Sequence, residues 1–220
     1  HVAPTPSVPA AVPTPLADSS PTAGTASASP WGGPGQWEEL PGPEAPAPSP
    51  STGDTPLPSV PGNHDLPDLD FDGNADGTVL DVAGLRVAGV GGAGPMKFGF
   101  CYEWGEDAIR ARQVPPCDVL LCHAPPIDTP LDHVPAHDAH AGSMALRERA
   151  LVHTGFYACG HIHESPGGVQ LGDCLCLNAG GLGRPWGQAQ VGWIVRDEAG
   201  DRVGHTDLVS GEERWWARSN

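Results

Sequence analysis

The chain has 220 residues, enough for one sizeable domain, but its 26 prolines and 30 glycines approach the level at which low complexity is suspected. A formal net charge of -16 argues against binding a long nucleic-acid backbone, which needs clustered Lys and Arg. No run of ~18 apolar residues is present to span a membrane, so the expected setting is soluble and cytoplasmic.

The first 58 residues are almost entirely proline, alanine, serine, threonine and glycine, and 15 of the 26 prolines lie in residues 1–60. Stretches such as "APTPSVPAAVPTP" hold too little large apolar surface to offset ordering entropy, and their prolines lack backbone donors. Residues 1–58 are therefore predicted to be disordered or polyproline-like, and residues 59–220 to form the folded domain. The tract lacks the basic start and apolar core of a signal peptide.

Along the folded part, "TVLDVAGLRVAGVGG" predicts a hairpin turning at Ala83-Gly84. "EWGEDAIRARQ" has helical composition and ends before Pro115-Pro116. "CDVLLCHAPP" holds a short buried strand, Val119 to Cys122, stopping at His123. Ser143 offers an N-cap to "MALRERALVHTG", with Gly155 as a helix stop. "FYACGHIHES" repeats the pattern of an apolar run ending in histidine, and antiparallel strands with turns at Gly172-Asp173 and Glu198 to Asp201 follow. The class is α/β, with layered sheets and helices outside. The six cysteines form no CxxC pair and sit in apolar runs, which suits reduced packing residues.

Histidine-bearing turns at Gly62, His123 and His161, each after a short apolar run, would converge at one end of a sheet, where α/β proteins build sites. Gly160-His161-Ile162-His163 places two imidazoles at i, i+2, which an extended chain would direct to one face. With His123 and the Asn63 amide oxygen they compose a nitrogen and oxygen ligand set suited to Mn, Fe, Zn or Ni. "DLDFDGNADGTV" (Asp68 to Val79) imitates a calcium loop, but Val79 stands where a bidentate glutamate belongs, so an acidic surface loop is expected. His133, His137 and His140 read as loop residues, with His140 near enough in sequence to approach the site. Trp215-Trp216 reads as packing or an exposed tail.

"GNHD" (Gly62 to Asp65), "LLCHAPP" (Leu120 to Pro126) and "CGHIHES" (Cys159 to Ser165) resemble three motifs of the calcineurin-like metallophosphoesterases, in that family's order. "HAGSMALRE" and "LNAGGLG" resemble further segments of its small bacterial and archaeal members. The resemblance implies a layered β-sandwich flanked by helices. It also implies hydrolysis of a phosphomonoester or phosphodiester, in a phosphorylated small molecule or nucleotide, by a metal-activated hydroxide. By the same resemblance Asn63, His123 and His161 hold one divalent transition metal, manganese foremost, and His163 belongs to a second. His64 faces the substrate and Asp65 orients it.

The family also begins with Asp-x-His and Gly-Asp-x-x-Asp strands, and neither motif is in this chain. His1 could stand for the first histidine, Thr25 of "AGT" falls where the second motif would, and the dipeptide Gly53-Asp54 begins only nine residues before Gly62, too few for the helix and strand that should separate them. Two expectations follow: a phosphoesterase, or a degenerate or truncated relative whose catalysis is impaired. A shifted reading frame in GC-rich DNA would write such an N-terminal tract.

Overall fold

The computed structural model describes residues 57–183 and 188–219. The expectation of disorder for 1–58, apart from its last two residues, and the candidates His1, Asp18, Thr25 and Asp54 lie outside the described residues.

Alternating apolar residues fold first into a hairpin, β1 (Val79–Val82) with β2 (Leu85–Val90), turned by Ala83 and Gly84, both at positive φ (50° and 81°). Short apolar runs then give β3 (Val119–Cys122) and β6 (Phe156–Cys159), which join β2 in parallel. Parallel strands need crossovers, and each carries one helix: α1 (Glu106–Ala111) before β3 and α2 (Met144–Val152) before β6. Between β3 and α2 a small ribbon pairs β4 (His133–Val134) with β5 (Ala139–His140). The hairpin of β7 (Gly167–Leu171) and β8 (Cys174–Asn178) completes a six-stranded sheet of order β1-β2-β3-β6-β8-β7. A second, three-stranded antiparallel sheet is built from β9 (Gln190–Asp197), β10 (Gly200–Asp207) and β11 (Glu213–Ala217).

Two apolar clusters set the layers. Ile109, Ala145, Leu146 and Ala150 of the helices meet Val90, Leu120, Cys122 and Tyr157 on one face of the larger sheet. On its other face Val87, Val119, Phe156, Leu175 and Leu177 pack with Val203, Ile194 and Trp216 of the three-stranded sheet. β3 and β6 are covered on both faces, which explains why their residues run apolar without alternation. The fold is mixed α/β, mostly sheet with few helices.

The expected elements from 78 onward are present, with local differences. α1 is shorter than the span Glu103 to Gln113, because Trp104 leaves the helix to bury its ring and donate Nε1–H to Gly91 O at 2.8 Å. Ser143 caps α2, accepting from the Leu146 N–H at 3.2 Å. Gly155 is not the helix stop, since α2 already ends at Val152. Its role is close packing: a Cβ there would meet Asp118 O at 2.1 Å. The pair Trp215-Trp216 lies in β11 rather than a tail, with Trp216 turned into the inter-sheet cluster and Trp215 exposed beside Arg202.

The segment before Gly62 is not a strand. An isolated bridge, Ser59 with Asn74, and a bond from the Gly92 N–H to Pro61 O at 2.9 Å tie it to its surroundings, and Pro58 and Pro61 remove two of the donors that a ladder would use. The acidic stretch Asp68 to Val79 is not wholly surface either. Asp76 is inserted under the sheet, 2.7 Å from Arg112 Nη2, and accepts from the Gly91 N–H at 2.7 Å and Tyr102 OH at 2.6 Å. A carboxylate so placed is stabilised by that guanidinium and braces the loop that follows β2. All six cysteines are free; four are buried, Cys117 is half-buried and Cys101 is exposed.

Candidate functional site

Asn63, His123 and His161 come together at the C-terminal ends of the parallel strands. His123 follows β3 directly and its N–H bonds Val90 O of β2 at 3.0 Å, while the Gly160 N–H after β6 bonds His123 O at 3.1 Å. Asn63 arrives on the turn Gly62 to Asp65, held by Tyr102 N–H on Asn63 O at 3.0 Å. Gly62 leaves room there, since a Cβ would press on His123 Cε1 at 3.0 Å and push the ring aside. Asp65 Oδ2 accepts from the Gly62 N–H at 2.7 Å and so closes the turn that carries His64. His64 itself is exposed, its ring 4.3 Å from that of Phe100.

His161 does not lie on an extended chain. Its φ is +66°, in the left-handed region that a non-glycine residue enters at a cost, and a turn follows in which Ser165 N–H bonds Ile162 O. The i, i+2 argument for one shared face is therefore corrected: Ile162 goes inward, and the turn brings His161 and His163 to the same cavity. That cavity, about 350 Å³, has Asn63, His64, Phe100, His123, His161 and His163 in its lining, together with the carboxylate-bearing Glu164. A second one of about 200 Å³ shares Asn63, Phe100 and His161 with it, and adds Lys97, Phe98 and His140.

Around His123 Nε2 the contacts exceed what one ring nitrogen can satisfy. Asn63 Oδ1 lies 3.0 Å away and His161 Nδ1 3.1 Å away. An imidazole nitrogen offers either a proton or a lone pair, so one proton serves one of these contacts. A cation serves all three, because donors ~2.0–2.1 Å from a metal at neighbouring positions stand ~3 Å apart. Burial, followed by the His161 and His163 rings, lowers the His123 pKa to about 4. Burial, followed by His163 and His64, lowers that of His161 to about 4. Both rings are therefore neutral near pH 7, with lone pairs to offer. Among the described residues no group of three or more His, Cys, Asp or Glu side chains is arranged to hold a metal ion, so a cation here would take the Asn63 amide oxygen as its third ligand.

Two supporting residues were given no role by the sequence, although Asn178 stands in the quoted segment "LNAGGLG". Asn178, at the end of β8, is fully buried; its Nδ2 donates to Leu131 O at 2.9 Å and Ile162 O at 2.8 Å, and its Oδ1 accepts from the Gly180 N–H at 2.8 Å. It pins the His161 turn to the loop after β3. Asn178→Ala leaves two buried carbonyls and one N–H without that partner and is expected to cost about 2–4 kcal/mol in urea unfolding. Asp132 is fully buried and accepts from Thr129 and Gly142 N–H, both at 2.9 Å, and from His140 Nδ1 at 2.7 Å. The run "LDHVPAHDAH" that contains it reads like any polar loop. His133 and His140 are not loop residues, being paired across the β4-β5 ribbon, while His137 lies in its turn.

No protein-family model matches the chain. An uncharacterized protein of Methanocaldococcus jannaschii is 31% identical over 133 residues, which cover 54% of this chain and 61% of that protein. The chain thus matches less than two thirds of that relative's length. A solved crystal structure overlays with a TM-score of 0.42 at 17% identity, covering 65% of this chain and 53% of the other. Among the described residues no helix is long and apolar enough to cross a membrane.

Proposed function

We propose that this chain is a metal-dependent phosphoesterase that hydrolyses a phosphomonoester or phosphodiester of a small molecule or nucleotide. The reading is carried by the convergence of Asn63 Oδ1 and His161 Nδ1 on His123 Nε2, at 3.0 and 3.1 Å, with both imidazoles neutral. Asn63, His123 and His161 would hold a divalent transition metal, manganese foremost and Fe, Zn or Ni otherwise, with His163 on the adjoining wall for a second. Two packed sheets with helices on the outer face of the larger one suit a metallophosphoesterase-like sandwich. Six unpaired thiols favour a reducing, cytoplasmic setting.

When bound, the metal supplies Lewis acidity to a phosphoryl oxygen and lowers the pKa of water. The chain's own residues do the positioning. His64, exposed at the surface with its ring tilted against that of Phe100 at 4.3 Å, is placed to give a proton to the leaving oxygen. Asp65 holds the turn beneath it. Phe98 and Phe100 offer aromatic surface to the organic part of the ester.

A second reading, a catalytically impaired relative that still binds metal, is favoured by the donor set itself: two imidazoles and an amide, with no carboxylate among these three. Metal analysis and turnover separate the two. The 220-residue chain loaded with Mn should hold one or more ions per chain and hydrolyse bis-p-nitrophenyl phosphate in a Mn-dependent way if the first reading holds. One ion without turnover supports the second, and no bound transition metal defeats both.

A further inference from the structure

The buried Asp132 is outside the groups used so far, and its side-chain partners are His140 at 2.7 Å and, more distantly, the Thr129 hydroxyl at 3.5 Å. Its carboxylate is fully inaccessible, with Asp128, Thr129 and Gly142 N–H groups bonded to it at 3.3, 2.9 and 2.9 Å and His140 Nδ1 at 2.7 Å. Burying a carboxylate is costly unless it is hydrogen-bonded and paired, and this one is both. The pairing engages one ring nitrogen of His140 and fixes the ring's orientation, so Nε2 is the nitrogen left for a ligand. The same bond raises the pKa of His140, which favours its imidazolium form.

The ring stands in the wall of the 200 Å³ cavity, together with Asn63 and His161 of the candidate metal site and with Lys97. The cavity's carboxylate, Glu103, already accepts from Phe98 N–H at 3.1 Å and Gly99 N–H at 2.9 Å. Its remaining charged lining is cationic, in a chain of net charge -16. Such a pocket selects an oxyanion, because a charge-assisted hydrogen bond from a held imidazolium is stronger than one from a neutral donor.

We propose that His140 is a substrate-binding residue whose Nε2–H donates to a phosphoryl oxygen of a phosphate ester lodged beside Asn63 and His161, with Asp132 as the positioning residue that holds the ring. The identity of the ester rests on the phosphoesterase reading; the Asp132–His140 pair and its oxyanion do not.

The test titrates inorganic phosphate into the 220-residue chain, metal-free and Mn-loaded, and follows histidine ring signals by NMR. Wild type should show the His140 signals moving with phosphate. In His140→Ala phosphate affinity should fall by about tenfold or more. His133→Ala, whose ring neighbours His140 at 5.6 Å but does not line this cavity, should bind phosphate as wild type does. Bound Mn per chain should be the same in all three. Asp132→Asn should abolish the low-field Nδ1 proton signal of His140 and weaken phosphate without changing bound Mn, which a merely structural role would not produce. Equal phosphate affinity in wild type and His140→Ala overturns the proposal, and so does failure of wild type to bind phosphate in either form. If wild type binds no Mn, the metal reading fails, and the metal-free titration still decides for or against His140.

Discussion

Joining an N-terminal segment that carries Asp-x-His and Gly-Asp-x-x-Asp to residue 59 is expected to raise Mn-dependent hydrolysis of bis-p-nitrophenyl phosphate by orders of magnitude over the 220-residue chain. Two divalent ions ~4 Å apart repel by roughly 17 kcal/mol even at an effective dielectric constant of ~20. Asn63, His123, His161 and His163 are an amide and three imidazoles, and neutral ligands do little to offset that repulsion. A carboxylate between the ions does, by bringing negative charge to the point where their fields add. On the proposed reading the first ion would therefore find its ligands in Asn63, His123 and His161, and the second would lack its principal one. Rates compared at equal protein and saturating Mn check this. Equal turnover in the two chains would mean that a carboxylate in the first 58 residues, Asp18 or Asp54, already bridges the ions.

How much of this was legible depended on whether a residue's partner is local. β3 and β6 announce themselves because strands covered on both faces run apolar without a break, and the residue after each run, His123 or Gly160, must then lie at the sheet's C-terminal edge. The β1-β2 turn is equally local, set by Ala83-Gly84. The role of Asp132 was not legible although Thr129 and Gly142 are near it in sequence, because a polar run does not announce the burial of its own carboxylate; that of Asn178, although it stands in "LNAGGLG", was hidden because it reaches back 47 residues to Leu131. Asp76 was misread as surface for the same reason, its partner Arg112 lying 36 residues away. The left-handed His161 could not be read from a pattern that treats Gly-His-Ile-His as an extended strand. Its conformation is imposed by the turn that Ile162 and Asn178 hold in place.

His161→Ala and His64→Ala are expected to fail in different ways, and the difference tests the roles assigned to them. Both would be made in the chain extended with the two N-terminal motifs. Removing His161 leaves Asn63 and His123 as the nearest donors, an incomplete set for a cation that prefers four or more ligands, and His123 Nε2 reverts to one contact, with Asn63 Oδ1 at 3.0 Å. Stoichiometric Mn or Zn in the purified protein should be lost, and turnover with it. His64 touches Phe100 rather than the His123 cluster, so its removal should leave bound metal unchanged. It should nonetheless lower turnover by ~10²-fold or more, the usual loss when a positioned proton donor is deleted. The loss should be greatest for esters whose leaving group is a poor one, since p-nitrophenolate departs without much help from a proton. Full metal content in His161→Ala would remove that residue from the proposed ligand set, and a His64→Ala variant as fast as its parent on an alkyl phosphate ester would remove His64 from the proposed chemistry.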